Sequence, residues 1–389
     1  MMIKSIKVML LPNNVQKTRL FQHAGAARFL YNWALAKEEE NHEAGGKFIS
    51  YYELSKELTE LKKTDEYAWL NDISACTCQT AIKDACEAYN NFFKKRARHP
   101  KFKSKNRSTP SFAQTDQVIE FTDTHVKLSC LSLSRKANRK QLNWVRLAEH
   151  GKIPINIKHS NPRITYDGLN WWISVGIEYP DKNVNLSQEG LGVDLGIRNL
   201  AVCSDDSIYP NINKTKAIKD LEKRKRRLQR SISRKYEMNK KGDEFVKTKN
   251  IIKDEKKLLK MHHRLSNIRK NYLHHTSKEI VGKNPKFICI DDLNVQSMMK
   301  NKYLAKAFQE QSLYEFSRQL EYKSNFKGIT FIRADRGYPS SKKCSICGRI
   351  KKNLKPYQKL YKCECGNVID VHKQAALNLK SYGKDIITE

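Results

Sequence analysis

The stretch Gly192-Val193-Asp194-Leu195-Gly196-Ile197-Arg198-Asn199-Leu200 constrains this chain more than any other. An apolar run from Leu191 to Val193 delivers one carboxylate, Asp194, to a turn containing Gly196, and a second apolar run, Leu200 to Cys203, leads away. Strand, acid, glycine turn, strand is how a sheet edge presents a metal-binding carboxylate to a phosphate substrate. One acid does not hold two metal ions, so such a site needs partners. Two places supply candidates. Lys286 to Ile290 reads as a buried strand ending in Asp291-Asp292-Leu293-Asn294, and Val368-Ile369-Asp370-Val371-His372 reads as a short strand turning into an Ala-rich helix.

Acids carried on separate strands and a late helix fit a ribonuclease-H-like α/β sheet, in which they converge on two divalent ions. Between the two candidate places lies Cys344-Ser345-Ile346-Cys347-Gly348, followed by Cys363-Glu364-Cys365-Gly366. Two thiolate pairs, each followed by a glycine that lets the backbone turn under a metal, imply a structural Zn2+ ribbon over about 338–368, with Cys344, Cys347, Cys363 and Cys365 as ligands. The second pair has one intervening residue, a tighter knuckle that still permits ligation. The other six of the ten cysteines are scattered, a pattern that suits a reducing cytoplasm better than a disulfide framework.

Lys plus Arg total 74 against 41 Asp plus Glu, a formal charge of +33. That excess creates a strong field for polyanions and makes nucleic acid the leading partner. No apolar run approaches the ~18 residues that span a bilayer, so no membrane partner is expected. The first ten residues alternate like a strand and lack the long apolar core of a signal peptide. The cations concentrate in two places. Phe92 to Arg107 interleaves Lys94, Lys95, Arg96, Arg98, Lys101, Lys103 and Lys105 with Phe92, Phe93 and Phe102, suiting phosphate contact with base stacking or loop anchoring. Lys214 to Val281 reads as long basic helices, with Arg224, Arg226, Arg227, Arg230, Arg264 and Arg269 facing a nucleic-acid backbone above a stripe of leucine and isoleucine.

Helical spacing of apolar residues predicts helices over 16–37, 52–61 and 77–98. From about 117 to 180 the chain turns β-rich, and Asp167-Gly168 between alternating runs signals a hairpin. Trp171 and Trp172 fall on opposite strand faces, so one belongs to the core; the sequence leaves open which. With the N-terminal strand these runs can close a small barrel, leaving the helices as an insertion. A polar linker, Asp181 to Glu189, leads into the Asp194 strand.

Taken together, these motifs resemble the TnpB family, RNA-guided nucleases of bacterial insertion sequences ancestral to type V CRISPR effectors. The likeness runs through Arg28-Phe29-Leu30-Tyr31-Asn32-Trp33-Ala34-Leu35, Phe92-Phe93-Lys94-Lys95 with Pro100-Lys101-Phe102-Lys103-Ser104-Lys105, Gly192-Val193-Asp194-Leu195-Gly196-Ile197, Asp292-Leu293-Asn294-Val295 and Pro339 to Gly348. It implies an α/β multidomain protein. A wedge β-barrel split over 1–15 and 116–182 would carry a helical recognition insert at 16–115, and 183–389 would form a RuvC-like domain with the zinc ribbon. The implied partners are a guide RNA from its own or a neighbouring locus and a double-stranded DNA target with a short adjacent motif. The implied location is the bacterial cytoplasm, on the nucleoid.

The departures from the family pattern matter more than the match. The family's second acid stands in Ile-Glu-Asp-Leu-Asn; here Asp291 follows Ile290, one methylene shorter. Its third site reads Asp-Arg-Asp-x-Asn-Ala-Ala, whereas this chain reads Asp370-Val371-His372-Lys373-Gln374-Ala375-Ala376. Registered on the alanine pair, His372 stands where the resemblance places a metal-binding aspartate. Mg2+ prefers carboxylate and water oxygens, so its binding is expected to be weak or lost. Misplacement of the Asp291 oxygens by about an ångström can cost ~100-fold in rate. Asp370 is a possible substitute: a helical offset of two residues is about 200°, which would turn it elsewhere, but it precedes the helix and its loop can adjust. Lys373 adds a cation beside the site. The sequence therefore predicts a degenerate RuvC centre, with Asp194 and Asp291 as residual members, in a nuclease-dead transcriptional repressor. The alternative is an active RNA-guided DNA endonuclease using Asp194, Asp291 and Asp370.

Overall fold

The computed structural model describes residues 2–115, 119–132, 141–179, 184–293, 298–351, 353–354 and 358–388. Asn294 and Val295 of the quoted motif, and the start of the Asp181 linker, lie outside the described residues. The chain divides into two compact units, Met1–Pro180 and Asp181–Glu389.

The first unit runs β1 (Met2–Leu11), α1 (Asn14–Glu43), α2 (Tyr51–Leu61), α3 (Ala75–Phe93), then β2 (Ser111–Ala113), β3 (Ile119–Phe121), β4 (His125–Leu128), β5 (Trp144–Leu147), β6 (His159–Tyr166) and β7 (Trp171–Tyr179). The strands form one antiparallel sheet in the order β2-β6-β7-β1-β5-β4-β3. Among the described residues it is a half-barrel with β2 and β3 at its edges, not the closed barrel that the strand count allows. Its first strand after the helices begins at Ser111, before the expected boundary at 116, because Phe112 is buried against the core and Ser111–Ala113 pairs with β6.

Helix α1 begins in a capping box: the Asn13 side chain accepts from the Gln16 amide at 2.9 Å and Gln16 Oε1 accepts from the Asn13 amide at 2.9 Å. The Gln16 amide group then donates to the carbonyls of Leu142 and Trp144, fixing the helix start to the sheet. The predicted apolar face is buried, Leu20, Ala24, Ala27, Leu30, Tyr31 and Ala34 included. That face shares one core with Val8, Ile82, Ile164 and Ile173, so helices and sheet are a single packed body. A two-pronged ion pair from Arg163 on β6 to Asp84 on α3, at 2.8 and 2.9 Å, ties them further. Trp171 is the core tryptophan. Trp172 is half-buried, donates to Asp167 at 2.7 Å and carries the Lys7 ammonium over its ring.

The second unit runs β8 (Leu191–Leu195), β9 (Asn199–Cys203), β10 (Ile208–Pro210), α4 (Lys216–Met238), β11 (Lys240–Lys241), β12 (Glu244–Phe245), α5 (Lys249–Gly282), β13 (Phe287–Asp291), α6 (Ala305–Gln311), α7 (Leu313–Asn325), β14 (Thr330–Ala334), β15 (Leu360–Lys362), β16 (Val368–Asp370) and α8 (Val371–Thr388). Five strands form a mixed sheet, β10-β9-β8-β13-β14: the first three antiparallel, the last three parallel. Strand periodicity sorts its faces. Leu191, Val193 and Leu195 of β8 with Ile288 and Ile290 of β13 pack with residues of α5 and α7, while Phe287 and Cys289 of β13 pack with Leu379 of α8. Among the described residues, no helix is long and apolar enough to cross a membrane.

Candidate active site and cysteine cluster

Parallel register aligns Leu191 with Ile288, Gly192 with Cys289 and Val193 with Ile290. The next residue on each strand is an acid. Asp194 and Asp291 therefore stand side by side at the carboxyl ends of two central strands, on the face that α8 covers. Asp194 has a side chain only 13% exposed. Burial pushes Asp291 up to about 7, the neighbouring charge of Asp194 adds to the rise, and the Ser340 hydroxyl, donating to Asp291 Oδ2 at 3.1 Å, opposes it.

Helix α8 is held against this pair because β8 carries glycine at 192. A Cβ there would lie 2.0 Å from the Ala376 carbonyl oxygen and 2.5 Å from the Lys380 amide, so the helix backbone rests directly on the strand. One turn before Ala376 on the helix is His372, and two residues after Gly192 on the strand is Asp194. The same stripe therefore brings His372 Nδ1 to 2.8 Å from Asp194 Oδ2. This contact raises His372 above the ordinary histidine value, against the effect of its own burial. Burial also raises Asp194, opposed by the hydrogen bond and charge of His372 and reinforced by Asp370.

Asp370 is not turned away by a helical offset, because it precedes the helix. Its Oδ1 accepts from the backbone amides of His372 at 2.9 Å and Lys373 at 3.3 Å, capping α8, while Arg198 lies 3.8 Å from its Oδ2. Lys373 does not charge the site as its position suggests. Its ammonium is spent on the Ser204 carbonyl at 2.9 Å and Asp206 at 2.6 Å. Asp292 pairs with Arg336 at 2.6 Å.

The four cysteine sulfurs lie within 4.8 Å of one another. Cys344 and Cys365 are 3.7 Å apart and Cys347 and Cys363 3.6 Å, close to the edge of about 3.8 Å for a tetrahedron with ~2.3 Å metal–sulfur bonds. Gly348 and Gly366 take φ of +74° and +90°, the left-handed turns behind each knuckle. The cluster is fastened to α8. Gln374, fully buried, donates to the Lys343 carbonyl and accepts from Ser345 and Asn367; Asn378 donates to the Ser340 and Lys343 carbonyls at 2.7 and 2.6 Å. Ser340, Gln374 and Asn378 join the cysteines to the acid pair. No role for these three is evident from the sequence, although Ser340 and Ser341 stand in the Pro339–Gly348 motif.

The basic residues divide in two. Lys94, Lys95, Arg96, Arg98, Lys101 and Lys105 in the first unit are exposed, as are Arg224, Arg226, Arg227, Arg230 and Arg264 in the second. Lys103 and Arg269 are not free cations. Lys103 is half-buried with its ammonium 3.4 Å from the centre of the Tyr31 ring, and its backbone is clipped to Asn32 by bonds of 2.8 and 2.9 Å. Thus the Tyr31-Asn32 and Pro100–Lys105 motifs meet in space. Arg269 holds Asn213 at 2.7 Å, Glu222 at 3.2 Å and Glu310 at 3.6 Å, a strut among α4, α5 and α6. Packing places these two inward, which charge counting does not reveal.

Three family models match in chain order: "Helix-turn-helix domain" at residues 1–47, "Probable transposase" of the IS605 OrfB type at 173–302, and "Cas12f1-like, TNB domain" at 314–379. Residues 1–47 here form a strand and one long helix, not a helix-turn-helix. The chain is 29% identical over 378 residues to "Putative RNA-guided DNA endonuclease InsQ" of Escherichia coli (strain K12), covering 93% of this chain and 87% of that one. It is 29% identical over 380 residues to a like-named protein of Streptomyces pristinaespiralis, covering 98% and 89%. Its fold resembles a protein in the cryo-EM structure of a Cas12f1–sgRNA–target DNA complex, with TM-score 0.58 at 14% identity over 94% of this chain and 82% of that one. The family models and the named relatives together support a likeness of this chain to the TnpB/IS605 OrfB family.

Proposed function

We propose that this protein is an RNA-guided DNA-binding protein whose RuvC-type centre is disabled, and that it represses transcription by occupying its target. The observation that carries this reading is the 2.8 Å contact between His372 Nδ1 and Asp194 Oδ2. An imidazole supplies nitrogen and no negative charge, and once protonated it repels a divalent cation. Asp194, Asp291 and His372 therefore fit Mg2+ poorly, and Asp194 is engaged by an ion pair within the protein. Guidance by RNA and a DNA target are carried over from the named relatives. They agree with the +33 charge and the exposed cations of both units. The half-barrel and its helices are assigned as wedge and recognition insert, and the four thiolates as a structural zinc site that braces α8.

A second reading, a metal-dependent DNA endonuclease using Asp194, Asp291 and Asp370, draws on the proximity of Asp370, whose charge raises Asp194, and on the relatives' names. The two separate in one assay. The protein is purified with its native flanking RNA and offered matched double-stranded DNA in Mg2+ and in Mn2+. Tight guide-dependent binding without product supports occupancy; guide-dependent cuts in either metal overturn it.

A further inference from the structure

We propose that the first unit holds a pocket for one unstacked nucleobase bearing an exocyclic amine, built by Glu38, Phe48, Tyr89, Phe92, Phe93 and His99. A cavity of about 330 Å³ opens among these side chains, between the end of α1 and the end of α3. One side of it is aromatic: Phe93 stacks on Tyr89 at 6.0 Å, Phe48 meets Phe93 edge-on at 5.9 Å, and His99 packs against Tyr89 and Phe92 at 5.5 and 5.1 Å; the end of α1 supplies the polar side, Glu38, Glu39 and Glu43 among it.

Among the described residues, two polar atoms of the side chains that line it have no partner. Glu38 is 5% exposed, and while Oε2 accepts from the Ile49 amide at 3.3 Å, Oε1 is buried with nothing to accept from. Tyr89 is also 5% exposed, and its hydroxyl is likewise unpaired. Buried groups of this kind cost free energy unless a ligand completes them. A carboxylate oxygen only accepts, so the ligand must bring a donor; a hydroxyl takes either role. Adenine, cytosine and guanine each present an exocyclic amine with two hydrogens, whereas uracil and thymine offer a single imide N–H set between two carbonyls that a carboxylate repels.

Position favours a base over any other planar donor. Phe93 and Phe48 are 53% and 37% exposed, large apolar rings open to an incoming face. The chain leaving Phe93 becomes Lys94, Lys95, Arg96 and Arg98, all exposed, cations within reach of the phosphates on either side of a base held at Phe93. Lys95, at φ +55°, turns the chain directly after the helix. A stacking platform followed by a phosphate-binding run is the arrangement that holds single-stranded nucleic acid. The pocket belongs to the first unit and stands whether or not the carboxylate centre cuts.

The test uses the full-length protein and ten-nucleotide single-stranded probes, RNA and DNA, each carrying one 2-aminopurine, whose fluorescence falls on stacking. Quenching is expected to be saturable, with affinity weakened about tenfold by Phe93→Ala. With unlabelled competitors, Glu38→Gln is expected to narrow the preference for oligo-A and oligo-C over oligo-U. Thermal melting confirms that Phe93→Ala, at an exposed ring, stays folded. Quenching in either arm that Phe93→Ala weakens, or a base preference that Glu38→Gln narrows, supports the pocket, and the arm that responds identifies the strand it takes. Absence of quenching, or quenching and base preference unaltered by both variants, overturns it, as does displacement by peptide but not by oligonucleotide.

Discussion

Asp291→Asn isolates the electrostatic state of the carboxylate pair. An ordinary aspartate titrates near 3.8 and Asp291 is pushed up to about 7, a difference worth about 4 kcal/mol. Its sign follows from proton counting. Between these pH values the unfolded chain has released the proton and the folded protein keeps it, so folding stability falls as pH rises from about 4 to 7 and the loss is complete above. An asparagine has the shape of the protonated acid and no proton to lose, and its carbonyl still accepts from Ser340. The variant should match the parent below pH 4, gain through the interval, and level off some 4 kcal/mol more stable above pH 7. For a unit of this size that is about 10 °C in melting temperature. Thermal and urea unfolding of both proteins from pH 4 to 9, without divalent cations, reads the difference and cancels the titrating groups that are not coupled to Asp291 through Asp194. A flat difference across the range, or a variant less stable than the parent at pH 8, refutes the assignment of Asp291 as a buried acid beside a second one.

Other outcomes follow from the same geometry. Gly192→Ala sets a Cβ against the backbone of α8 and should cost at least ~3 kcal/mol by urea unfolding, with loss of the His372–Asp194 contact seen as a lower His372 pKa by NMR. The four-sulfur cluster should carry one zinc per chain; chelation, or Cys363→Ser, should release it and raise hydrogen exchange in the first turns of α8, because Gln374 and Asn378 bind the cysteine segment there. Arg269→Ala should cost about 2 kcal/mol of stability, since Glu222 loses a buried partner. Arg226→Ala, at an exposed side chain with no ion pair among the described residues, should leave stability within ~0.5 kcal/mol while weakening RNA binding and making it less salt-dependent. Equal effects of these two substitutions would contradict the division of the basic residues into strut and contact.

How far the sequence reads depends on what each residue's role rests on. The acids at 194 and 291 are legible because each ends a short apolar run, and strand periodicity carries them to the same face. His372 is legible from the alanine pair that follows it, since Ala376 is what α8 rests on Gly192. Asp370 is hard to place from the sequence because a helical offset holds only once a helix has begun, and the chain uses that carboxylate to start one. Lys103 and Arg269 look like their exposed neighbours in the sequence; only packing turns one onto Tyr31 and the other between Glu222 and Glu310. The buried ties of Gln374 and Asn378 are long-range, and no local pattern announces them. The half-barrel likewise depends on which strands find partners, and the three-residue strand at Ser111 is too short for periodicity to detect.

In the proposed function two side chains, His372 and Asp291, silence an otherwise intact carboxylate centre. The most direct measurement restores both, Asp291→Glu with His372→Asp, and follows cleavage of matched DNA in Mg2+ by the RNA-loaded protein beside the parent. Both should bind the target, the parent without product and the double variant with cleavage. Guide-dependent cleavage by the parent would contradict that reading.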